Sequence, residues 1–260
     1  MRTGAKLGQH FLTAKWAAVA LAQSVQVRPD ETILEIGPGK GALTRILLTL
    51  GVPVIAIEKD TALVEVLYHM FTSEIDKGEL TILPADIRDV DMQEVGLTTP
   101  TYVLAANIPY YITGEIIRQF LTTPHQPRAM ALLIQKEVAQ RITSKKESIL
   151  SLAVKAYGIP RIVKKVSRKC FSPAPSVDSA ILLVDTISRD FFSNLDEDHF
   201  FNVVHAGFAS KRKFLANNLG VKYGKALAIK TLADCGINDK ARAEDVSLAE
   251  WKRIAEMLKN

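Results

Sequence analysis

The sequence predicts an α/β protein built on a parallel sheet, followed by a small helical domain. Three observations carry this. Short apolar, β-rich runs alternate with helical spacings through the first two thirds of the chain. A glycine loop, Gly37-Pro38-Gly39, joins the first such run to the first helical pattern. Beyond a boundary near residues 187–195 the period becomes helical.

Taken in order, residues 32–36 read as the first strand, and 41–50 as the helix after the glycine loop. Residues 54–57 form the second strand and run into Glu58, and a helix over 62–71 follows. The third strand, 80–83, leads into Pro84-Ala85-Asp86-Ile87. The fourth, 102–105, leads into Ala106-Asn107-Ile108-Pro109-Tyr110-Tyr111. A helix over 114–121 and a fifth strand over 129–134 complete the alternation. Two later strand-like runs, 162–166 and 179–186, flank the Pro-rich loop Ser172-Pro173-Ala174-Pro175 and suit an antiparallel closing pair. In the last part, Phe200, Phe201, Val204 and Phe208 recur at helical spacing. Ser247-Leu248-Ala249-Glu250 matches a capping box, and opens a helix with Leu248, Trp251, Ile254 and Leu258 on one face. The domains are expected at 1–190 and 191–260, with no internal repeat and no low-complexity segment.

The 260 residues suffice for one large and one small domain with buried cores. Apolar content of 48% and charge of 23% are those of a globular protein. No run approaches the roughly 20 apolar residues of a membrane span, and no apolar core of a signal peptide follows the N-terminus. Cys170 and Cys235 form no spacing pattern, so reduced thiols and a cytoplasmic location are expected. The five histidines show no ligand spacing, and no metal is expected. Nothing signals an oligomer, so a monomer is expected.

The net charge of +5 is unevenly spread. Residues 1–15 hold Arg2, Lys6 and Lys15 and no acid. Residues 136–170 hold ten Lys or Arg against Glu137 and Glu147. Residues 208–230 hold Lys211, Arg212, Lys213, Lys222, Lys225 and Lys230 and no acid. These segments suit either one phosphate-binding face or three separate solvated surfaces.

Glycines at 37 and 39 let the backbone turn sharply and approach a ligand, with helix N-terminal amides behind them. Gly37, Gly39 and Ala42 also satisfy the loose G-x-G-x-x-G/A pattern, although a plain tight turn has the same composition. Glu58 ends the second strand 21 residues after Gly37, where an acid accepts hydrogen bonds from ribose hydroxyls or pairs with Lys59. Asp86 either accepts an adenine amino group, with Ile87 packed on the ring, or caps a turn. Strand-end groups of this kind converge at the carboxyl edge of an open α/β sheet.

Asn107 to Tyr110 suggest what is bound beside the cofactor. The adenine amino group is a poor nucleophile because its lone pair is delocalised into the ring. Two acceptors, the Asn107 side-chain oxygen and a main-chain carbonyl of Ile108 or Pro109, would bind its two N–H groups. The lone pair is then aimed at a methyl carbon. These hydrogen bonds strengthen as the nitrogen becomes positive. Tyr110 would stack on the base. The bland alternative is an Asn-Pro turn with a core tyrosine. Behind a cofactor loop and a fourth strand, the segment points to methyl transfer onto an amino nitrogen of a nucleobase.

On these residues the chain resembles the ribosomal RNA adenine dimethyltransferases, and does so over nearly its whole length. Gly8-Gln9-His10-Phe11-Leu12 is similar to the family's N-terminal cofactor motif, and Glu35 to Thr44 to its glycine loop. Asn107-Ile108-Pro109-Tyr110 resembles its catalytic motif, and Phe171 to Ala180 its late Pro-rich motif. Phe208-Ala209-Ser210-Lys211-Arg212-Lys213 and Asn217-Asn218-Leu219 resemble C-terminal signatures. The resemblance implies a Rossmann-like, seven-stranded methyltransferase domain with a small helical RNA-binding domain. It implies S-adenosylmethionine as cofactor, contacted by Gln9, His10, Leu12, Gly37, Gly39, Glu58, Lys59, Asp86, Ile87 and Asn107. Asn107, Pro109 and Tyr110 would hold the target base, with Phe171 on its other face. Lys211, Arg212 and Lys213 would contact RNA.

The substrate implied is two adjacent adenosines in the 3′-terminal hairpin of small-subunit ribosomal RNA, in a pre-30S particle. Each would gain two methyls on N6. Ile108 stands where the family mostly has Leu, Ala106 where Gly often precedes the catalytic Asn, and His10 where Asn is common. Isoleucine also occurs in related resistance methyltransferases acting on large-subunit RNA, which are the alternative reading. A dehydrogenase would share the glycine loop but leave Asn-Ile-Pro-Tyr and the basic segments unexplained. A non-catalytic assembly factor would have no need of Asn107, Glu58 and Asp86 together.

Overall fold

The computed structural model describes residues 10–258. The chain folds as two compact units. One comprises the described residues up to Ala139 together with Ile159–Ile187. The other comprises Gln140–Gly158 and the residues from Ser188 onward. The expected cut between 190 and 191 is therefore corrected: the seam falls at 187/188, and the segment 140–158 joins the helical unit.

In the first unit seven strands form one sheet: β1 (Thr32–Ile36), β2 (Val54–Glu58), β3 (Leu80–Pro84), β4 (Tyr102–Asn107), β5 (Met130–Gln135), β6 (Ile159–Val166) and β7 (Ser179–Asp185). Their spatial order is β3-β2-β1-β4-β5-β7-β6. The first five are parallel, and β7 runs antiparallel to both β5 and β6. The central strands are covered on both faces, which is why they read as near-continuous apolar runs. β6 is an edge strand. It exposes Ile159, Arg161, Lys164 and Lys165 and carries an irregularity between Ile162 and Lys164. Exposed cations and a broken register both discourage pairing with another chain.

Register brings the loops together. Ile36 lies opposite Ile57 on one side and Ala106 on the other, and Glu58 lies opposite Pro84. The loops after β1, β2, β3 and β4 therefore leave the sheet at one level. The strand order reverses between β1 and β4, and that switch point opens a crevice at their carboxyl ends.

Helix Lys15–Ser24 packs Ala17, Ala18, Leu21 and Ala22 into the sheet core. The helix expected over 41–50 is shorter: an α-helix over Thr44–Leu47, then a 3₁₀ turn over Leu48–Leu50, ended by left-handed Gly51. Gly41 has φ +73°, so the chain is still turning there.

The helical unit contains helices Ile149–Tyr157, Glu197–Gly207, Leu215–Tyr223, Lys225–Asp234 and Leu248–Met257. Leu152 and Ala156 share a core with Phe200, Leu215, Leu232, Trp251 and Ile254, so 140–158 belongs here physically. Ser247 and Glu250 form the capping box reciprocally, and Trp251, Ile254 and Leu258 are buried. Among the described residues no helix is long and apolar enough to cross a membrane.

Candidate active site

Gly37 and Gly39 both adopt left-handed backbone, with φ +63° and +60°. A Cβ on Gly39 would lie 3.1 Å from the Phe11 ring, so the loop and the N-terminal segment touch through a bare backbone. Glu58 fixes the loop from below. Its Oε2 accepts from Gly39 N at 3.0 Å and its Oε1 from Asp60 N at 2.9 Å. Only 5% of Glu58 is exposed, and each carboxylate oxygen keeps a further lone pair for a ligand hydroxyl.

Asp86 is more heavily engaged. Its Oδ2 lies 2.7 Å from Lys59 Nζ and 2.5 Å from Arg88 Nη2, while Oδ1 accepts from Arg88 Nε and N at 2.9 and 3.1 Å. The Arg88 guanidinium first, then the Lys59 ammonium, holds its carboxyl well below the usual range. Asp86 also caps the turn Ile87–Asp89. The Ile87 carbonyl accepts from Gln119 Nε2 at 2.8 Å, which fixes this corner of the cavity.

A two-residue antiparallel ribbon, Phe11–Leu12 with Phe171–Ser172, builds the opposite wall. Thr13 N and Oγ1 both donate to the Cys170 carbonyl, at 2.8 and 2.9 Å. His10 Nδ1 lies 2.8 Å from the Pro173 carbonyl, which can only accept, so that nitrogen carries the proton. Asn107 Nδ2 donates to the His10 carbonyl at 3.2 Å. That bond orients the amide, and among the described residues Oδ1 has no hydrogen-bond partner. Tyr110 Oη and Ser179 Oγ are 2.6 Å apart, and burial raises the Tyr110 hydroxyl above its ordinary range. The His10 and Tyr110 rings lie 6.0 Å apart and tilted by 33°.

The structure places twelve of the expected site residues around one cavity. His10, Leu12, Gly37, Gly39, Glu58 and Lys59 line it, as do Asp86, Ile87, Asn107, Pro109, Tyr110 and Phe171. Phe171 is also part of the hydrophobic core. Gln9 lies outside the described residues. Lys211, Arg212 and Lys213 are exposed and belong to the helical unit. They sit on a turn after Glu197–Gly207.

Sequence reasoning missed Glu35, Phe11, Lys40, Arg88 and Tyr111, which also line the cavity, and Ser179, which holds Tyr110. Glu35 had a visible signal, a lone acid in the apolar strand β1. It is 1% exposed, and burial pushes its carboxyl up to about 8, with Glu58 adding to the effect and nearby Thr44 opposing it. Phe11 is stacked beneath Lys40, whose Nζ is 4.8 Å from the ring centroid.

The cavity suits a nucleoside cofactor. The bare backbone of Gly37 and Gly39 approaches its floor, Glu58 offers two acceptors, and Ile57 and Ile87 supply apolar walls. A parallel sheet with a reversed seventh strand between the fifth and the sixth, carrying such a cavity at its switch point, is that of an S-adenosylmethionine-dependent methyltransferase. Within that class the chain belongs to the ribosomal RNA adenine dimethylase family, whose model matches residues 2–260.

Its relatives agree. A protein of Dehalococcoides mccartyi strain CBDB1 named ribosomal RNA small subunit methyltransferase A is 36% identical, covering 95% of this chain and 86% of the relative. One of the same name from Clostridium acetobutylicum is 33% identical, covering 98% and 93%. The crystal structure of the 23S rRNA methyltransferase ErmE superposes with a TM-score of 0.77 at 25% identity, covering 96% of this chain and all of that one. A dimethyladenosine transferase from Plasmodium falciparum shares the fold, with a TM-score of 0.78 at 22% identity over 94% and 96% of the chains. The chain is an RNA-modifying methyltransferase that uses S-adenosylmethionine.

Proposed function

We propose that this enzyme transfers methyl groups to N6 of two adjacent adenosines in the 3′-terminal hairpin of small-subunit ribosomal RNA, two to each, during ribosome assembly in the cytoplasm. The observation that carries the reading is the Asn107 amide. Its nitrogen is held by the His10 carbonyl, and its oxygen is left to accept from an adenine amino group. The small-subunit target rests on the relatives at 33 and 36% identity, whose names specify that subunit. A pre-30S particle is the partner, and the enzyme acts as a monomer.

The cofactor supplies an electrophilic methyl. The protein supplies orientation. Glu58 would accept hydrogen bonds from the ribose hydroxyls while keeping its hold on Gly39. Asp86 and Ile87 would hold the cofactor adenine, for which at least one Asp86 oxygen would have to release Lys59 or Arg88. Asn107 Oδ1 and a carbonyl of Ile108 or Pro109 take the two N–H groups of the target amine. Tyr110 and Phe171 cover the two faces of that base. Each transfer forms an N6–C bond as the sulfonium S–C bond breaks, which leaves the thioether S-adenosylhomocysteine, and one N6 proton passes to water. The half-buried Tyr110, its hydroxyl raised above the ordinary range, is not needed as a base.

The test is direct. The protein is incubated with labelled S-adenosylmethionine and unmethylated small or large ribosomal subunits, and the modified nucleotide is mapped. Dimethyladenosine at two adjacent positions near the small-subunit 3′ end is expected. Label confined to one adenine of the large subunit would overturn the proposal.

A further inference from the structure

Tyr111 is not used by the chemistry at Asn107. It shares a single 3₁₀ turn, Tyr110–Ile112, with Tyr110. The two rings have opposite surroundings. Tyr110 is half-buried with its hydroxyl on Ser179, whereas Tyr111 is 71% exposed although it lines the cavity. A lone exposed aromatic needs no explanation in general. This one lines the cavity on the same turn as Tyr110.

The surface beyond the cavity is also suited to a strand. A shallow groove is lined by Arg88, Gly114, Glu115, Arg118, Gln119 and Thr122, and Arg88 lines the cavity as well. Arg118 and Gly114 are exposed, and a Cβ on Gly114 would meet nothing within 4 Å, so the groove floor is open. Arg88 is engaged by Asp86 and also faces Glu115 and Asp89, so the cation this groove offers to a phosphodiester chain is chiefly the exposed Arg118. An exposed aromatic ring at a cavity that shares Arg88 with a neighbouring groove combines the stacking face and the cation that single-stranded nucleic acid recognises.

A base drawn into a cavity loses stacking with its neighbour, whose face is then bare. We propose that Tyr111 is the stacking platform for the RNA base next to the adenine in the cavity, with the Arg88–Arg118 groove taking the backbone beyond it. This rests on the RNA-methylating function proposed above. With two adjacent adenosines as targets, the stacked neighbour is itself a substrate, so Tyr111 sets the register in which each is presented.

The experiment measures methylation of unmethylated small subunits by wild type, Tyr111→Ala, Tyr111→Phe and Tyr111→Trp, with cofactor affinity from calorimetry. Tyr111→Ala is expected to raise the KM for subunits on the order of tenfold. Tyr111→Phe and Tyr111→Trp keep a wild-type KM, and cofactor affinity is unchanged in all three. A wild-type KM in Tyr111→Ala overturns the proposal, as does Tyr111→Phe impaired as much as Tyr111→Ala. Wild-type protein inactive on small subunits overturns the functional reading instead, and is told apart because it precedes any substitution.

Discussion

Asn107 and Glu35 show how much single residues decide here. Asn107→Ala removes the acceptor aimed at the amine together with the bond to the His10 carbonyl. Turnover should collapse, mainly in kcat, while cofactor affinity falls much less; single-turnover rates and calorimetry separate the two. A variant that methylates at the wild-type rate removes Asn107 from the chemistry. Glu58→Ala should do the reverse, weakening cofactor binding by roughly 1.5–3 kcal/mol, because it deletes a charged acceptor and also frees Gly39 N and Asp60 N. Calorimetry showing wild-type cofactor affinity would sink that role. Glu35 contributes a pH dependence of its own. Its folded pKa is about 8 against an ordinary 4.5, so between those values the folded protein keeps a proton that the unfolded chain releases. Stability from this group is therefore complete below pH 4.5, is lost as pH rises towards 8, and is flat above, a loss on the order of a few kcal/mol. Glu35→Gln should raise Tm at pH 8 and leave it nearly unchanged at pH 4.5. Equal Tm differences at both values would show that Glu35 does not titrate in this window.

At the scale of elements, the strands were legible and several helices were not, for physical reasons. β1, β4 and β5 are buried on both faces, so the need for apolar residues leaves near-continuous runs that stand out in the sequence. Helix Lys15–Ser24 is alanine-rich with little polar contrast around its circumference, and it has no side-chain cap, so neither periodicity nor a start signal marks it. Helix Ile149–Tyr157 does have a capping box, but Ser151 stands where Glu or Gln would make the pattern recognisable. The short helix after the glycine loop starts late because Gly41 is still in left-handed backbone. That glycine is required twice over, since a Cβ there would lie 2.5 and 2.8 Å from the Phe71 ring. Gly41→Ala should cost on the order of 1–3 kcal/mol from strain and overpacking. Chemical denaturation measures it. A wild-type midpoint would mean that Phe71 moves freely aside.

At the scale of the whole molecule, the site is assembled from residues far apart in sequence, and local motifs do not reveal how they meet. Motifs announced His10, Asn107, Tyr110 and Phe171 separately. That Tyr110 is held by Ser179, 69 positions away, follows from the register of β4, β5 and β7, and that Asn107 is held by the carbonyl of His10, 97 away, depends on the ribbon of Phe11–Leu12 with Phe171–Ser172; neither has a local signal. The seam at 187/188 falls within the expected boundary region of 187–195, but the excursion of 140–158 has no local signal either. Residues 140–158 leave the sheet unit, pack Leu152 and Ala156 into the helical core, and return to start β6, an excursion that composition does not reveal. The last prediction depends on this division of labour. The cavity lies wholly within the sheet unit, whereas Lys211, Arg212 and Lys213 lie exposed on a turn of the helical unit, in a stretch with no acid from 208 to 230. If this turn grips ribosomal RNA backbone, changing all three to Gln removes up to three phosphate contacts. The log–log salt slope of subunit binding should then flatten by roughly 2–3 units, since each contact contributes about 0.9 on duplex nucleic acid. Cofactor affinity, measured by calorimetry on the free enzyme, should not move. A triple variant with the wild-type slope and affinity would exclude this turn and shift the RNA footprint to the basic residues of 136–170, where Arg161, Lys164 and Lys165 are exposed on the edge strand β6.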